Sequence, residues 1–324
     1  MESVRHRTIR TNGIDVHFAE LGSGPPVVFL HGFPEGWYSW RKQMTVFAQA
    51  GYHAIAPDLR GYGDTSAPQG VENYSFLHIV GDVIGLLDAL QLQKAAFVAH
   101  DWGAVIGWQL CLFRPDRVIA FAGLSAPYTP RNPAASPLQN LQSTFGEKHY
   151  ILKFQVPGKV EDQIARMSPE AFFRYVFGTR LTLELNFLEG PTEKIPLPAW
   201  MTEEDLALYV SKFNKNGFTP SLNYYRALEL SWELTAPWTG SQVAVPAIFM
   251  IGDQDLVNDN PGFAKFIGEG MIAFVPLLKE VTVFEGAKHF LHLEKPGEVN
   301  DHILRFFKTF EHDETTWIKG RNRL

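Results

Sequence analysis

The chain has 324 residues, 45% of them hydrophobic, enough for one large core or for a core that carries an inserted helical unit. Its formal net charge of −6, without a basic block, argues against nucleic acid as a main partner. No apolar run approaches the roughly 20 residues that a bilayer span needs, and the lone cysteine, Cys111, excludes an intramolecular disulfide.

That cysteine usage makes a reducing, cytoplasmic compartment the expected home. Met1 to Arg10 reads as polar and basic, unlike a secretory signal. The Arg323-Leu324 ending matches neither the retention nor the peroxisomal address, although a peroxisomal location stays open.

In chain order, Pro26 to Leu30 reads as a strand, Trp40 to Ala50 as a helix and Tyr52 to Ala56 as a strand. A helix over Phe76 to Leu90 and a strand over Ala95 to Ala99 follow, then a helix from Ala104 to Phe113 and a strand from Val118 to Leu124. Strands alternating with helices imply an α/β fold, a mostly parallel sheet with helices on both faces. From about Pro130 to Trp238 the pattern becomes helical and aromatic, broken by Pro157, Pro191, Pro196 and Pro198. Strand patterns return at Val245 to Ile251 and Val281 to Phe284, and a closing helix spans Glu298 to Phe310. The expected organisation is a core over residues 1–130, an all-helical insertion over 131–238, and the rest of the core over 239–324 with a polar tail from Glu311.

The most informative stretch is Ala99-His100-Asp101-Trp102-Gly103-Ala104, a strand, a sharp turn and a helix with small residues two positions either side of Asp101. Such an elbow presents its central side chain as a nucleophile. Aspartate, with an unperturbed pKa near 3.9, is already ionised at neutral pH, whereas the serine more usual there needs a base.

Upstream, His31-Gly32-Phe33-Pro34 follows the strand Val27 to Leu30. A loop so placed gives one backbone N–H of an oxyanion hole and the residue after the nucleophile gives the other, here Phe33 and Trp102. Water attack on an ester of Asp101 needs a base, and histidine is the side chain best poised near neutral pH. His289, in the loop after the last strand, is the leading candidate, with His292 its competitor. Gly252-Asp253-Gln254-Asp255 follows the strand Ala247 to Ile251 and supplies the acid that orients the histidine, with Asp255 favoured over Asp253. His100 reads as a packing or supporting neighbour of the nucleophile, and Glu35 as either a solvated loop carboxylate or part of a polar network holding water or the histidine. Cys111 reads as a buried apolar residue, and Gly61-Tyr62-Gly63 as backbone geometry rather than a nucleotide loop.

Together these residues resemble the epoxide hydrolases of the α/β-hydrolase fold, in particular the soluble plant type. The resemblance is carried by His31-Gly32-Phe33-Pro34-Glu35 with Trp37-Tyr38-Ser39-Trp40, by Asp58-Leu59-Arg60-Gly61-Tyr62-Gly63, by His100-Asp101-Trp102-Gly103, and by Asp255 and His289. It spans about residues 5 to 310 and implies two lid tyrosines that hydrogen-bond the epoxide oxygen, matched here by Tyr150 and Tyr225. The resemblance further implies attack by Asp101 on a lipophilic epoxide, such as a fatty-acid epoxide, then hydrolysis of the ester by water that His289 activates. His31, Pro34, Glu35 and His100 would support or bind around that centre.

No step needs a metal or organic cofactor; the expected partners are the epoxide and water, in a monomer or homodimer without a membrane span. The nearest alternative is a haloalkane dehalogenase, which uses the same elbow aspartate but expels halide and needs no proton donor. A serine esterase is disfavoured because carboxylate attack on an ester gives an unstable anhydride. A non-catalytic ligand-binding member of the fold would have no use for nucleophile, base, acid and tyrosines together.

Overall fold

A computed structural model describes residues 3–184 and 195–310. The expected polar tail from Glu311, and the middle of the motif-poor stretch between Thr182 and Trp200, lie outside the described residues. Eight strands form one sheet in the order β1-β2-β4-β3-β5-β6-β7-β8. They are β1 (Arg5–Thr11), β2 (Ile14–Leu21), β3 (Pro26–Leu30), β4 (His53–Pro57), β5 (Ala95–His100), β6 (Val118–Leu124), β7 (Ala247–Gly252) and β8 (Leu278–Phe284).

From β4 to β8 every pairing is parallel, while β1 with β2 and β2 with β4 are antiparallel. The hairpin β1–β2 is not among the strands read from the pattern. Arg5 to Thr11 is an exposed edge strand with little apolar content, so its own sequence carries almost no burial signal. Its turn is legible: Asn12 and Gly13 both take positive φ, as a two-residue hairpin loop requires.

β3, β5, β6 and β7 are buried along their whole length, which is why they read as continuous apolar runs. Their side chains alternate between two cores. Val28, Leu30, Phe97, Ala99 and Phe249 face one, and Val27, Phe29, Ala96, Val98 and Met250 face the other. On the second face lie α1 (Arg41–Gln49) and the closing helix Pro296–Lys308, while α2 (Phe76–Ala89) and α3 (Trp102–Phe113) cover the first.

Between β6 and β7 the chain runs through helices without a strand among the described residues. These are α4 (Pro137–Phe145), α5 (Tyr150–Phe154), α6 (Lys159–Met167), α7 (Pro169–Gly178), α8 (Glu203–Asn216), α9 (Thr219–Arg226) and α10 (Leu228–Leu234). A bidentate Arg226–Glu161 pair ties α9 to α6, and Arg226 Nε donates to Phe154 O at the end of α5. Gln155 Nε2 donates to Tyr225 O, closing the same junction. No helix among the described residues is long and apolar enough to cross a membrane.

Candidate active site

β5 ends at His100 and α3 begins at Trp102, leaving Asp101 alone to make the turn with φ 51° and ψ −120°. A non-glycine residue at positive φ is strained, and such strain concentrates where a side chain must be presented. Packing enforces the turn. A Cβ on Gly103 would stand 2.2 Å from Leu30 O, and one on Gly32 would stand 2.4 Å from the Asp101 Cβ. Only glycine lets the β3 loop and the elbow approach this closely.

That approach brings the Phe33 N–H to Asp101 Oδ1 at 2.7 Å. Among the described residues the Trp102 N–H, the other expected donor, makes no hydrogen bond to the resting carboxylate; it sits at the free first turn of α3. Asp101 Oδ2 is left facing His289, whose Nε2 lies 3.5 Å away. His289 Nδ1 is held by both oxygens of Asp255, at 3.1 and 3.0 Å. Asp255 is fully buried and also accepts from the Val257 N–H, whereas Asp253 is exposed on the surface. The geometry therefore joins Asp255, not Asp253, to His289.

Burial is the largest influence on His289 and opposes its charge. The Asp255 charge and the hydrogen bonds to Asp101 and Asp255 outweigh it and raise the imidazole pKa well above its ordinary value. For Asp255 burial again pushes the other way, but His289 and the Val257 N–H keep its carboxyl below the usual range.

Behind this triad lies a fully buried carboxylate. Glu35 Oε2 accepts from the Gly32 N–H at 2.9 Å and from His100 Nδ1 at 2.7 Å, while Oε1 lies 3.0 Å from His292 Nε2. His100 Nε2 faces the carbonyl of His289 at 2.8 Å, so both of its ring nitrogens point at acceptors. The Ser125 hydroxyl donates to the same carbonyl at 2.8 Å. Glu35 is thus no solvated loop residue; it links the oxyanion loop, the elbow and the histidine loop.

His292 belongs to this group and not to the cavity. Burial takes its pKa down to about 4 despite the neighbouring Glu35 charge. Ligand-type atoms of Glu35, His100 and His292 come within 4.8 Å of one another. Oε2 accepts twice and both His100 nitrogens have partners, so Glu35 and His100 form a hydrogen-bonded node.

His31 also points away from the reacting atoms. Its Nε2 accepts from the Leu59 N–H and its Nδ1 donates to Gly32 O, bracing the loop that carries Phe33. Pro34, by contrast, lines the space beside Asp101.

Tyr225, on α9, stacks edge-on against Trp102, Phe33 and Phe154 with ring centroids 4.9, 5.6 and 5.0 Å away. Its neighbour Tyr224 faces elsewhere and donates to Arg60 O. Tyr150, the first residue of α5, meets the Tyr225 ring at 5.9 Å. Tyr150, Tyr225 and Trp102 line one cavity together with Asp101. Burial first, and then nearby negative groups, raise both phenol pKa values far above the ordinary one.

Two spaces meet at Asp101. A recess of about 30 Å3 is lined by Phe33, Asp101, Tyr150, Tyr225 and His289, room for a water or two. A second cavity of about 470 Å3 shares Asp101, Tyr150 and Tyr225 but not His289, and runs outward between α3 and the helices that follow β6. Local sequence gave no signal for Ser125, for the Trp102 indole or for the Arg226–Glu161 tie, since each acts through a partner distant along the chain.

Residues 25–296 match the α/β hydrolase fold family. The chain belongs to that family. Within it, similarity runs over nearly the full length to epoxide hydrolases. Epoxide hydrolase 3 of Siraitia grosvenorii is 48% identical over 317 residues, covering 96% of this chain and all of that protein. Epoxide hydrolase A of Mycobacterium tuberculosis is 38% identical, covering 96% and 99% of the two chains. Among solved structures, a substituted epoxide hydrolase of Vigna radiata superposes with a TM-score of 0.91 at 45% identity, covering 95% of this chain and 99% of that one. A laboratory-evolved variant of a potato epoxide hydrolase gives 0.89 at 44% identity, covering 95% and 100%. The chain is a member of the epoxide hydrolase family.

Proposed function

We propose that this protein opens lipophilic epoxides to vicinal diols through a covalent ester on Asp101, beneath a helical lid formed by residues 131–238. The single observation that carries the reading is the convergence of Tyr150 and Tyr225 on the cavity that holds the Asp101 carboxylate.

Asp101 Oδ1 is occupied by the Phe33 N–H, so Oδ2 is the attacking oxygen. It displaces the ring oxygen from an epoxide carbon, which inverts. The C–O electron pair leaves as an alkoxide, a poor leaving group unless hydrogen-bonded and protonated. Tyr150 and Tyr225 donate to it and one transfers its proton, an alkoxide being more basic than a phenolate. Their raised pKa values keep both hydroxyls protonated in the resting site. A departing halide would need no such proton, which sets the tyrosine pair against dehalogenation.

The ester leaves Oδ1 as its carbonyl oxygen, already in the oxyanion hole, and makes Asp101 neutral. Loss of that charge, 3.5 Å from Nε2, removes one of the influences that hold the proton on His289. His289 then gives up that proton, which restores the tyrosine that protonated the alkoxide, becomes the base, and activates a water in the recess on its side of Asp101, while the esterified alkyl group lies on the cavity side. Water attacks Cγ as His289 takes its proton, the Phe33 and Trp102 N–H groups hold the oxyanion, and the Cγ–Oδ2 bond breaks as His289 returns the proton to the leaving oxygen. The proton of the new carboxyl then passes to His289 and restores its resting charge. The diol departs with Oδ2, and the water oxygen stays on Asp101. Glu35, through His100 and Gly32, positions the two loops that hold the histidine and the oxyanion hole.

The test is diol formation from styrene oxide by the parent and by Tyr150→Phe, Tyr225→Phe and the double variant. Each single change is expected to slow single-turnover ester formation by about 10- to 100-fold, and the pair by on the order of 10^3-fold or more. Unaltered ester formation in the double variant, or halide release from a haloalkane at a rate matching diol release, would refute the epoxide reading.

A further inference from the structure

The larger cavity has a direction and an end. On α3 it is lined by Trp102, Val105, Trp108 and Leu112, a spacing that keeps to one helical face. It therefore follows the helix for about 15 Å from the elbow, at a rise of 1.5 Å per residue. At the far end Trp238 lines it and packs on Phe113, the last residue of α3, with ring centroids 4.4 Å apart.

Beside Trp238 the wall contains Arg131. Its Nε donates to Trp232 O and its Nη1 to Thr239 Oγ1, both at 2.8 Å, and its guanidinium lies 4.4 Å from the centre of the Trp232 ring. These contacts fix the planar fork in place. Nη2 makes no hydrogen bond, and no carboxylate lies within ion-pair distance among the described residues.

Of the side chains lining the cavity, only Asp101 and Arg131 are charged, because burial, aided by Lys153, takes His149 down to about 4. The walls between them are mostly apolar. An immobilised guanidinium with a free donor edge is suited to an anion, above all a planar carboxylate.

We propose that Arg131 is a specificity-determining residue that anchors the carboxylate of an extended substrate while Asp101 attacks its epoxide. An extended chain advances about 3.8 Å for every three bonds, so the cavity measures about twelve bonds from carboxylate to ring. The proposal rests on the epoxide-hydrolase reading of the site and adds to it a choice among substrates by charge and by ring position.

The experiment compares the parent, Arg131→Met and Arg131→Lys on three probes. These are a long-chain epoxy acid with its ring about twelve bonds from the carboxylate, the methyl ester of that acid, and styrene oxide. For the free acid Arg131→Met is expected to raise KM about tenfold, with Arg131→Lys recovering part of the loss. The ester and styrene oxide should change by less than about twofold, which also shows that the variants are folded. Equal losses on acid and ester would overturn the proposal, since Arg131 would then only clamp Trp232 and Thr239. A parent that treats acid and ester alike would overturn it too.

Calorimetric titration with palmitate decides the same point without turnover. The parent should bind about tenfold more tightly than Arg131→Met, and equal binding contradicts the anchor. Failure of the parent to hydrolyse styrene oxide would instead count against the epoxide-hydrolase reading and leave the titration to judge Arg131.

Discussion

Asp101→Asn is expected to reduce diol formation by on the order of 10^4-fold or more while leaving the fold intact. Asparagine keeps the shape of the side chain and can still accept from the Phe33 N–H, so the loops that meet at the elbow have no reason to separate. What it lacks is the anionic oxygen. The substitution also removes a negative charge 3.5 Å from His289 Nε2. The His289 pKa should therefore fall in the variant, and NMR titration of the imidazole checks this separately from turnover. Preserved turnover would mean that water attacks the epoxide directly, with no ester.

The second large effect is expected at His289→Gln, which should separate the two half-reactions. In the proposed mechanism alkylation needs only the Asp101 carboxylate and the tyrosines, and these remain. Hydrolysis of the ester needs a base, and positioned bases contribute about 10^2- to 10^4-fold. One equivalent of substrate should accumulate on the enzyme, visible as a mass shift confined to the peptide that carries Asp101, while steady turnover falls on the order of 10^3-fold. No adduct, with turnover lost, would place His289 in the first step instead.

In the parent the same assignment fixes the sign of the pH dependence. His289 holds its proton more tightly than an ordinary imidazole, and only its neutral form activates water. Single-turnover ester hydrolysis should therefore slow as pH falls. The tyrosines, whose pKa values are raised, should impose no alkaline limb below about pH 10.

Much of this site was legible in the sequence because its parts lie at strand ends. The elbow shows in the apolar run into Asp101 and in Gly103, and the structure gives the reason: any larger residue would strike Leu30 O. Asp255 and His289 were placed by the strands that precede them, and the helical excursion by its loss of alternating pattern. The tyrosines were identifiable only through family resemblance, since nothing local distinguishes Tyr225, which faces the cavity, from Tyr224, which is bonded to Arg60 O.

Glu35 was ambiguous for a related reason. Its burial depends on His100 and His292, which stand far along the chain. The edge strand β1 is exposed and shows little of the apolar pattern that marks the buried strands, whereas β2 is buried and its Ile14, Val16 and Phe18 alternate as a strand requires. The Asn12-Gly13 turn is a further local signal of the hairpin.

The central claim is that the epoxide is opened by Asp101 and not by water. It is tested most directly by a single turnover of styrene oxide with excess enzyme in ¹⁸O-water, followed by mass analysis of the Asp101 peptide and of the diol. The account predicts one ¹⁸O in the Asp101 carboxylate and none in the first diol released, because that diol carries away Oδ2. Label in the diol with an unlabelled Asp101 would contradict it.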